Sequence, residues 1–314
     1  MLTGLTLVQA AVLLGCGVLL DMLLGEARRW HPLVGFGKLA NALERHLNKA
    51  GRRCFRGAAA WTLAVVPLTV ASIVVCIHAG LLAHVALLYF CLGLRSLREH
   101  NLPIAAALER SDLAEARSLT GRIVSRDTAA AGEGELAKAS VESLLENGND
   151  AVFGTLFWFA VAGGPGALLF RLANTLDAMW GYRNARFLAF GRVAARIDDA
   201  MNAVPARLTA LSYLLLADTP RLAWRCWREQ APAWPSPNAG PVMASGAGAL
   251  GLALGGSATY DGVTEQRPPL GHGRTARAGD IGRAWRLVKA TTALWLTVAF
   301  AAAAGVHYWR ILNA

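Results

Sequence analysis

The apolar residues of this chain occur in long uninterrupted blocks rather than in the spaced pattern of an amphipathic helix. A helix needs about 20 apolar residues to cross the hydrocarbon core of a bilayer. Four stretches approach or meet this requirement: 5–24, the pair 57–79 and 81–94 with a tight turn at Gly80, and 289–311. The pattern therefore predicts several membrane-spanning helices.

Three further apolar blocks are harder to interpret. The blocks 204–217 and 242–255 are short and rich in small residues, so short spans, re-entrant pieces and helices packed against a bundle all remain open. The block 151–172 is interrupted by Gly163-Gly164-Pro165-Gly166, a run that disfavours a continuous helix. Because polar clusters flank this block on both sides, we predict a re-entrant hairpin shielded by protein.

Composition agrees with a membrane protein. Hydrophobic residues make up 54% of the chain and charged residues 17%, which is too little polar surface to cover a water-soluble globule. We therefore predict an all-α, multi-pass helical bundle in one membrane-embedded domain, 1–314. It contains a cytosolic helical insert at 95–150 and a polar loop at 257–288, within which 262–282 reads as flexible and exposed.

The formal net charge is +10, but no zinc spacing or recognition-helix pattern accompanies it, so a nucleic-acid partner is not expected. Basic residues concentrate in 25–56, which favours a cytosolic position for that loop and an external N-terminus. The five cysteines form no CxxC pair and indicate a reducing compartment. The expected location is the bacterial cytoplasmic (inner) membrane.

A first polar cluster begins at Arg126-Asp127-Thr128 and continues into a predicted helix over 133–147. Asp127 or Thr128 is a candidate N-cap of that helix. Glu142 and Glu146 share one helix face, and Asp150 extends the row. A solvated acidic stripe is one interpretation, and a Mg²⁺ site is the other, since Mg²⁺ favours one or two carboxylates together with phosphate oxygens. The position at the entry of an apolar segment favours function.

A second cluster contains Asn174, Asp177 and Arg183, followed by the segment 192–202. Helical spacing places Arg192, Arg196 and Asp199 on one face, with Asp198 and Asn202 one step around the helix. Surface ion pairs explain one such pair. Paired carboxylates beside arginines are more typical of a phosphate–Mg²⁺ site.

Two weaker signals complete the candidates. Asn238 follows Ser236-Pro237 and is a predicted helix N-cap, although such a helix start can also bind an anion. His31, before Pro32, lies just after the first span, and a lone histidine is usually structural. No Walker A, GxSxG or HExxH motif is present in the sequence.

These clusters, in this order, resemble the CobD/CbiB family of adenosylcobinamide-phosphate synthases, which act in cobalamin biosynthesis. The resemblance covers nearly the whole chain and rests on an ordered set of strings: Trp30-His31-Pro32-Leu33-Val34-Gly35, Val124-Ser125-Arg126-Asp127-Thr128, the run from Ala139 through Glu142, Glu146 and Asn147 to Asp150, Leu156-Phe157-Trp158, Gly164-Pro165-Gly166-Ala167, Asn174-Thr175-Leu176-Asp177 with Gly181-Tyr182, the run 195–207, Ser236-Pro237-Asn238 with Gly240, Leu254-Gly255-Gly256, and Tyr260 with Gly262.

The resemblance implies a reaction. An aminopropanol, or (R)-1-amino-2-propanol O-2-phosphate, is joined through an amide to a propionate carboxylate of adenosylcobyric acid, with ATP as co-substrate and Mg²⁺ as cofactor. It also implies partners, namely the corrinoid and amine substrates, the lipid bilayer, and pathway enzymes as candidates for docking at the membrane. The active site is expected to face the cytosol.

Within this resemblance we assign residue roles as expectations. The predicted catalytic residues are Glu142, Glu146, Asp198 and Asp199, and the predicted Mg²⁺ ligands are Asp150, Asp198 and Asp199. The predicted substrate- and phosphate-binding residues are His31, Arg126, Asn147, Asn174, Asp177, Arg183, Arg196, Asn202, Arg207 and Asn238. We expect them to converge in one pocket at the inner water–lipid boundary.

The sequence departs from the family pattern at three places: Gly25-Glu26-Ala27 replaces the usual Gly-Asp-Pro, Thr155 replaces a Pro, and Ala178 replaces a Ser. Two other functions remain open. A different Mg²⁺-dependent membrane transferase would also use an aspartate pair and asparagine to hold a phosphate or diphosphate substrate. A transporter or membrane sensor related to the family would bind substrate without turnover.

Overall fold

The computed structural model describes residues 4–26, 31–260 and 262–313, without the side chain of Leu312. Arg28, Arg29 and Trp30, which supported the orientation and the resemblance, lie outside the described residues, as does Ala27 of the Gly25-Glu26-Ala27 departure. The helices are α1 (Leu7–Leu24), α2 (Pro32–Leu47), α3 (Arg53–Cys91), α4 (Leu94–Glu109), α5 (Leu113–Thr120), α6 (Glu133–Gly148), α7 (Gly154–Trp180), α8 (Arg192–Leu215), α9 (Pro220–Gln230), α10 (Ala239–Leu250) and α11 (Ala278–Leu312). The strands are β1 (Leu252–Tyr260), β2 (Val263–Leu270) and β3 (Arg274–Thr275).

The predicted helical membrane architecture is confirmed. Within the described ranges, four helical segments are long and apolar enough to cross a membrane: Leu7–Leu24, Arg53–Glu109, Glu133–Trp180 and Ala278–Ile311. The tight turn expected near Gly80 is also present, because α3 leaves the helical conformation there with φ 59°. The two short blocks at 204–217 and 242–255 fall in α8 and α10, which are not among these segments.

The chain divides into two compact units. The first contains residues 1–94, 150–202 and 296–314, and the second contains 95–149 and 203–295. The sequence did not lead us to expect two compact units. Whether they function together as the single domain predicted for 1–314 stays a prediction.

The core of the first unit joins α2, α3, α7 and the start of α8. Phe36, Trp180 and Phe190 are its large buried rings, and small residues such as Ala60 and Ala64 let α3 pack closely against them. Burying rings of this size removes on the order of 150–250 Å² of surface each from contact with the surroundings. This tightly packed core therefore fixes the positions of the polar residues at the ends of α7 and α8.

The α7 helix folds back on itself, as the Gly-Gly-Pro-Gly run predicted. Its backbone leaves the helical region at Ala162 and Gly163, where φ is −136° and 60°. A Cβ on Gly166 would lie 2.4 Å from the carbonyl oxygen of Trp158, eight residues earlier. Residues eight apart in a straight helix lie about 12 Å apart along the axis, so the two arms of α7 run antiparallel as a hairpin and require glycine where they touch.

The tip of this hairpin is stabilised by a buried histidine. His84 in α3 accepts a hydrogen bond at Nδ1 from the Gly164 backbone N–H, at 2.9 Å. The N–H belongs to the broken part of the helix, where no regular partner remains. An unsatisfied backbone N–H in an apolar environment costs several kcal/mol in order of magnitude, so His84 makes the broken backbone tolerable.

The second unit is organised around α10, whose residues Ala239–Leu250 are all buried. Gly246 lies against the Leu145 side chain of α6, and Gly248 lies against the backbone of Ala223 in α9. Small residues therefore serve close helix packing here. The first part of the block 242–255 is a packed helix, and its end, from Leu252, belongs to β1.

The segment 257–288, predicted as a polar loop, contains regular structure instead. β1 and β2 pair antiparallel from Leu254 with Leu270 to Tyr260 with Val263, and β3 pairs parallel with the start of β1. α11 already begins at Ala278, so 262–282 is not a flexible loop. The sequence missed the hairpin because Gly255, Gly256 and the Pro268-Pro269 pair break the alternating pattern that identifies a strand.

Candidate active site

Asp198 is the centre of a carboxylate–amide cluster in the first unit. It is buried on α8, and each of its carboxylate oxygens faces an asparagine side chain. Oδ1 accepts from Asn174 Nδ2 at 3.3 Å, and Oδ2 accepts from Asn202 Nδ2 at 3.1 Å. The spacing of Asp198 and Asn202 on one helix face predicted their proximity, and the return of the α7 hairpin brings Asn174 to them.

Further aspartates surround this cluster. Burial, together with the negative charges of Asp150 and Asp177, raises the pKa of the Asp198 carboxyl above its usual range. Burial also raises the pKa of Asp199, although the nearby guanidinium groups of Arg196 and Arg183 oppose that shift. Asp150 and Asp177 lie at the two ends of the α7 hairpin, so the fold-back is what brings their charges near Asp198.

The side-chain oxygens of this cluster are of the chemical kind that Mg²⁺ binds. Among the residues that the structure describes, no group of three His, Cys, Asp or Glu side chains is already arranged as a metal site. Mg²⁺ requires fewer protein ligands, since it retains waters and binds through one or two carboxylates together with substrate phosphates. When neighbouring aspartates raise the pKa of a buried carboxyl group, the negative charges repel one another, and a bound cation would relieve that repulsion.

A second cluster lies in the other unit and centres on Glu142 of α6. Its Oε2 accepts from Arg126 Nη2 and from Arg267 Nη1, the latter at 3.0 Å. Its Oε1 accepts from Arg267 Nη2 at 3.2 Å and from the Gly255 backbone N–H at 2.7 Å. A carboxylate accepts about four hydrogen bonds, so groups of the protein already use the acceptor positions of Glu142. The predicted catalytic role of Glu142 stays a prediction.

The β-hairpin reaches Glu142 through a bulge. The pairing register of β1 and β2 shifts between Gly255 and Gly256, and both residues have positive φ, at 71° and 68°. The bulge aims the Gly255 N–H at Glu142, while its carbonyl oxygen accepts from Lys138 Nζ at 2.9 Å. Glycine is favoured at both positions by the positive φ, and at Gly255 also because a Cβ would clash with the Pro268 carbonyl oxygen of β2.

Four predicted residues line one cavity of about 400 Å³ in this unit: Arg126, Glu142, Glu146 and Asn147. Asn147 Nδ2 donates to Ser143 Oγ at 3.1 Å, which fixes its amide at the cavity wall. The volume is within the range of small-molecule sites, roughly 300–1,000 Å³. The first polar cluster of the sequence is thus a lined cavity rather than a solvated stripe.

The remaining predicted residues have local partners. Arg207 donates to the side-chain oxygen of Asn238, so these two form a pair of their own. Asn238 occupies the predicted N-cap position of α10, but its side chain makes no cap bond. Ser236 Oγ accepts from the Ala239 N–H at 3.1 Å instead. His31 caps α2, accepting at Nδ1 from the Leu33 N–H, while its predicted binding role stays a prediction.

Asp127 is not the N-cap of α6, and neither is Thr128; the cap position is Gly132. Asp127 instead holds the turn between β1 and β2: its Oδ2 accepts from the Gly262 N–H, and its own N–H donates to the Thr259 carbonyl oxygen, both at 2.8 Å. Asp127 thus contacts the hairpin turn and precedes α6 by too many positions to cap it.

Sequence reasoning missed three residues at the second cluster. Arg267 and Lys138 contact Glu142 or its bulge, and Trp234 lies under the Arg267 guanidinium with 5.6 Å from Cζ to the ring centroid. Arg267 belongs to a segment that we interpreted as a flexible loop. The adjacent glycines Gly255 and Gly256 were a usable signal, because a double glycine after an apolar run indicates a bulge.

Comparisons with known proteins give the family of the chain. The model of the CobD/CbiB protein family matches residues 14–288. A cobalamin biosynthesis protein CobD of Stutzerimonas stutzeri is 58% identical over 285 residues, covering 90% of this chain and 94% of that protein. One of Chromobacterium violaceum is 54% identical over 304 residues, covering 94% and 97%. One of Mycobacterium tuberculosis is 40% identical over 281 residues, covering 87% and 88%.

No solved structure matches the chain. The family model spans most of the sequence, including both carboxylate clusters and the β-hairpin. On the strength of that match and of relatives that are similar over nearly their full length, the chain belongs to the CobD/CbiB protein family.

Proposed function

We propose that this protein is an amide-forming ligase of cobalamin biosynthesis, the adenosylcobinamide-phosphate synthase. It joins (R)-1-amino-2-propanol O-2-phosphate, or the free aminopropanol, to a propionate carboxylate of adenosylcobyric acid and consumes ATP. Relatives at 58% and 54% identity are named cobalamin biosynthesis proteins, which supports the pathway. The observation that carries the chemistry is the buried Asp198 with Asn174 and Asn202 beside two further aspartates.

The reaction requires activation of a carboxylate. A carboxylate oxygen of the corrinoid attacks the γ-phosphorus of ATP, and ADP leaves. The uncharged amine then attacks the acyl carbon, the phosphate leaves with its bonding electron pair, and the amine nitrogen loses a proton as the amide forms. Both steps concentrate negative charge on phosphoryl oxygens, and positioned cations stabilise such charge.

The first-unit cluster supplies groups suited to this charge. One or two of the predicted ligands Asp150, Asp198 and Asp199 would hold Mg²⁺, which when bound would neutralise phosphate oxygens. Asn174 and Asn202 fix the Asp198 carboxylate in one orientation through their amide N–H groups. Arg183 and Arg196 are exposed beside Asp199, where their planar forks would bind phosphate oxygens.

The predicted location follows from the same arguments. Four long apolar helical segments support membrane association, and the basic loop 25–56 favours an active site that faces the cytosol in the cytoplasmic membrane. Pathway enzymes that make or consume the corrinoid remain candidate partners at that membrane face.

One assay tests the function. Purified protein in lipid nanodiscs is incubated with adenosylcobyric acid, the amine phosphate and Mg·ATP, and mass spectrometry follows the corrinoid. The expected product is one condensed corrinoid per ADP released. No condensed corrinoid from folded protein would refute the proposal, and turnover of a prenyl diphosphate in its place would favour the membrane transferase.

A further inference from the structure

The cavity of the second unit combines two kinds of charge. Its lining includes the guanidinium groups of Arg126 and Arg267 and the carboxyl groups of Glu146 and Glu265. Both arginine side chains are largely buried, each with 13% of its surface exposed. Long charged side chains are seldom buried to this degree unless they have a specific partner or ligand.

The orientation of both arginines is fixed by the protein. Glu142 contacts the two guanidinium groups, and Arg267 Nε also donates to the Gly256 carbonyl oxygen at 3.2 Å. Trp234 lies beneath the Arg267 guanidinium and restricts it further. Such pre-orientation removes the side-chain entropy that a free arginine loses on binding.

Arg126 retains unused donors. Among the described residues, only its Nη2 contacts an acceptor, which is the Glu142 carboxylate. A guanidinium has five N–H donors, so Nε and Nη1 are available at the cavity wall. Because one glutamate faces two arginines, the triad has a net positive charge with donors to spare.

We propose that this cavity binds a small phosphate monoester that also carries an ammonium group. Arg126 holds the phosphate through its spare Nε and Nη1 donors, and Arg267, whose fork already contacts Glu142, adds its positive charge and a remaining N–H. The carboxylates in the same lining attract the ammonium. The inference rests on the proposed function and names the amine phosphate as the substrate of this cavity. The same lining carboxylates disfavour a nucleotide triphosphate, which has no positive charge for them to attract.

Glu142 is then a positioning residue. It acts on the substrate through the two arginines, and its four acceptor positions are already used by Arg126, Arg267 and the Gly255 N–H. Arg267 becomes a specificity-determining residue supplied by the β-hairpin, a part of the chain whose sequence alone suggested no chemistry.

Equilibrium binding tests the proposal without the corrinoid and without ATP. Wild-type protein in nanodiscs is titrated calorimetrically with 1-amino-2-propanol O-2-phosphate and with unphosphorylated 1-amino-2-propanol. We expect the phosphorylated amine to bind more tightly. Arg267→Gln should weaken its binding roughly 10- to 100-fold, the usual effect of removing charge-assisted hydrogen bonds, and should leave the unphosphorylated amine unchanged.

Two further variants keep the result interpretable. Arg225→Gln removes an exposed arginine of the same unit, paired at the surface with Glu229, and should bind both amines as wild type does. Arg267→Lys keeps the positive charge but loses the planar guanidinium group. Its affinity for the phosphorylated amine should therefore lie between those of the wild type and Arg267→Gln. If Arg267→Gln does not fold, the lysine variant decides the question.

The outcomes that overturn the proposal are distinct from failure of the ligase. Unchanged affinity for the phosphorylated amine in folded Arg267 variants contradicts it, as does an equal loss for both amines. Tight binding of ATP that depends on Arg267, with no binding of the amine phosphate, assigns the cavity to the nucleotide instead. Because no turnover is measured, these results hold whether or not a condensed corrinoid forms.

The positioning role has a kinetic signature. Glu142→Gln keeps the shape of the side chain but loosens the arginine pair. With an active enzyme, we expect KM for the amine phosphate to rise while KM for Mg·ATP and kcat change little. An equal fall of kcat with every substrate, at unchanged KM, would contradict positioning of the amine.

Discussion

The cluster around Asp198 leads to a prediction in which stability and activity separate. The substitution Asp198→Asn keeps the size of the side chain and removes its charge. Both carboxylate oxygens now accept from asparagine amides, at 3.3 Å and 3.1 Å. The new amide keeps one acceptor, and a rotation of the facing Asn174 or Asn202 amide restores the second hydrogen bond.

The magnitudes follow from these contacts. At most one neutral hydrogen bond is lost, which costs about 0.5–1.5 kcal/mol. The substitution also removes a buried negative charge that lies near Asp150 and Asp177, which offsets that cost. The free energy of unfolding should therefore change by no more than about 1 kcal/mol. Activity should fall roughly 100-fold or more, since the lost carboxylate is one that would hold the Mg²⁺ proposed to stabilise the phosphoryl transition state.

Two measurements on the same preparation check this. Thermal unfolding of the nanodisc-bound protein gives the stability, and corrinoid condensation at several Mg²⁺ concentrations gives the activity and the apparent Mg²⁺ affinity. The matched control is Asp218→Asn, an exposed aspartate that should leave both unchanged. Near-wild-type condensation by Asp198→Asn at limiting Mg²⁺ would refute the assigned role, and a collapse of stability would refute the reasoning about the amides.

Three further predictions concern the framework. Gly166→Ala places a Cβ 2.4 Å from a backbone oxygen of the opposite hairpin arm, so it should lower the free energy of unfolding by roughly 1–3 kcal/mol and the thermal midpoint with it. The control Gly305→Ala has open space around the new Cβ and should leave the midpoint unchanged. Equal midpoints for the two variants would contradict the hairpin contact. The hydrogen bond from Arg186 lowers the pKa of Glu44. The stability that the ionised Glu44 contributes is therefore fully present above its ordinary pKa and is lost as the pH falls through its lowered pKa in the folded protein. When unfolding is measured from pH 7 to 3, the free energy of unfolding should fall less in Glu44→Gln than in the wild type. Asp127→Ala removes an anchor of the hairpin turn, and activity should fall only a few-fold, about the effect of one exposed hydrogen bond; a 100-fold fall in folded protein would show a direct role.

The helical framework was accessible from the sequence because lipid imposes a simple rule on it. Blocks of about 20 apolar residues must be helices, since no other segment satisfies its own backbone in hydrocarbon. The hairpin in α7 was accessible for the same reason, because Gly163, Gly164 and Pro165 together rule out a straight helix. The three-stranded sheet was not, since β2 is mostly exposed and contains two prolines, so neither burial nor alternation marks it.

The candidate residues that the sequence could bring together are those that are neighbours on one element. Asp198 and Asn202 are neighbours on one helix face, so local periodicity places them together. The contact between Glu142 and Arg267 spans 125 positions and depends on a bulge, which no periodicity encodes. Asn238 and Asp127 were assigned caps from their residue type. Asn238 does occupy the N-cap position of α10, although its side chain pairs with Arg207, whereas Asp127 contacts the distant hairpin turn and does not cap α6.

The α7 hairpin should return the chain to the membrane face from which it entered. Single cysteines at Ala114 and Ala178, both exposed, are introduced after Cys16 and Cys54, the exposed natural cysteines, have been replaced. Intact cells and inverted membrane vesicles are then treated with a membrane-impermeant maleimide. Both positions should react only in inverted vesicles. Reaction of one position in intact cells and of the other in inverted vesicles would contradict it.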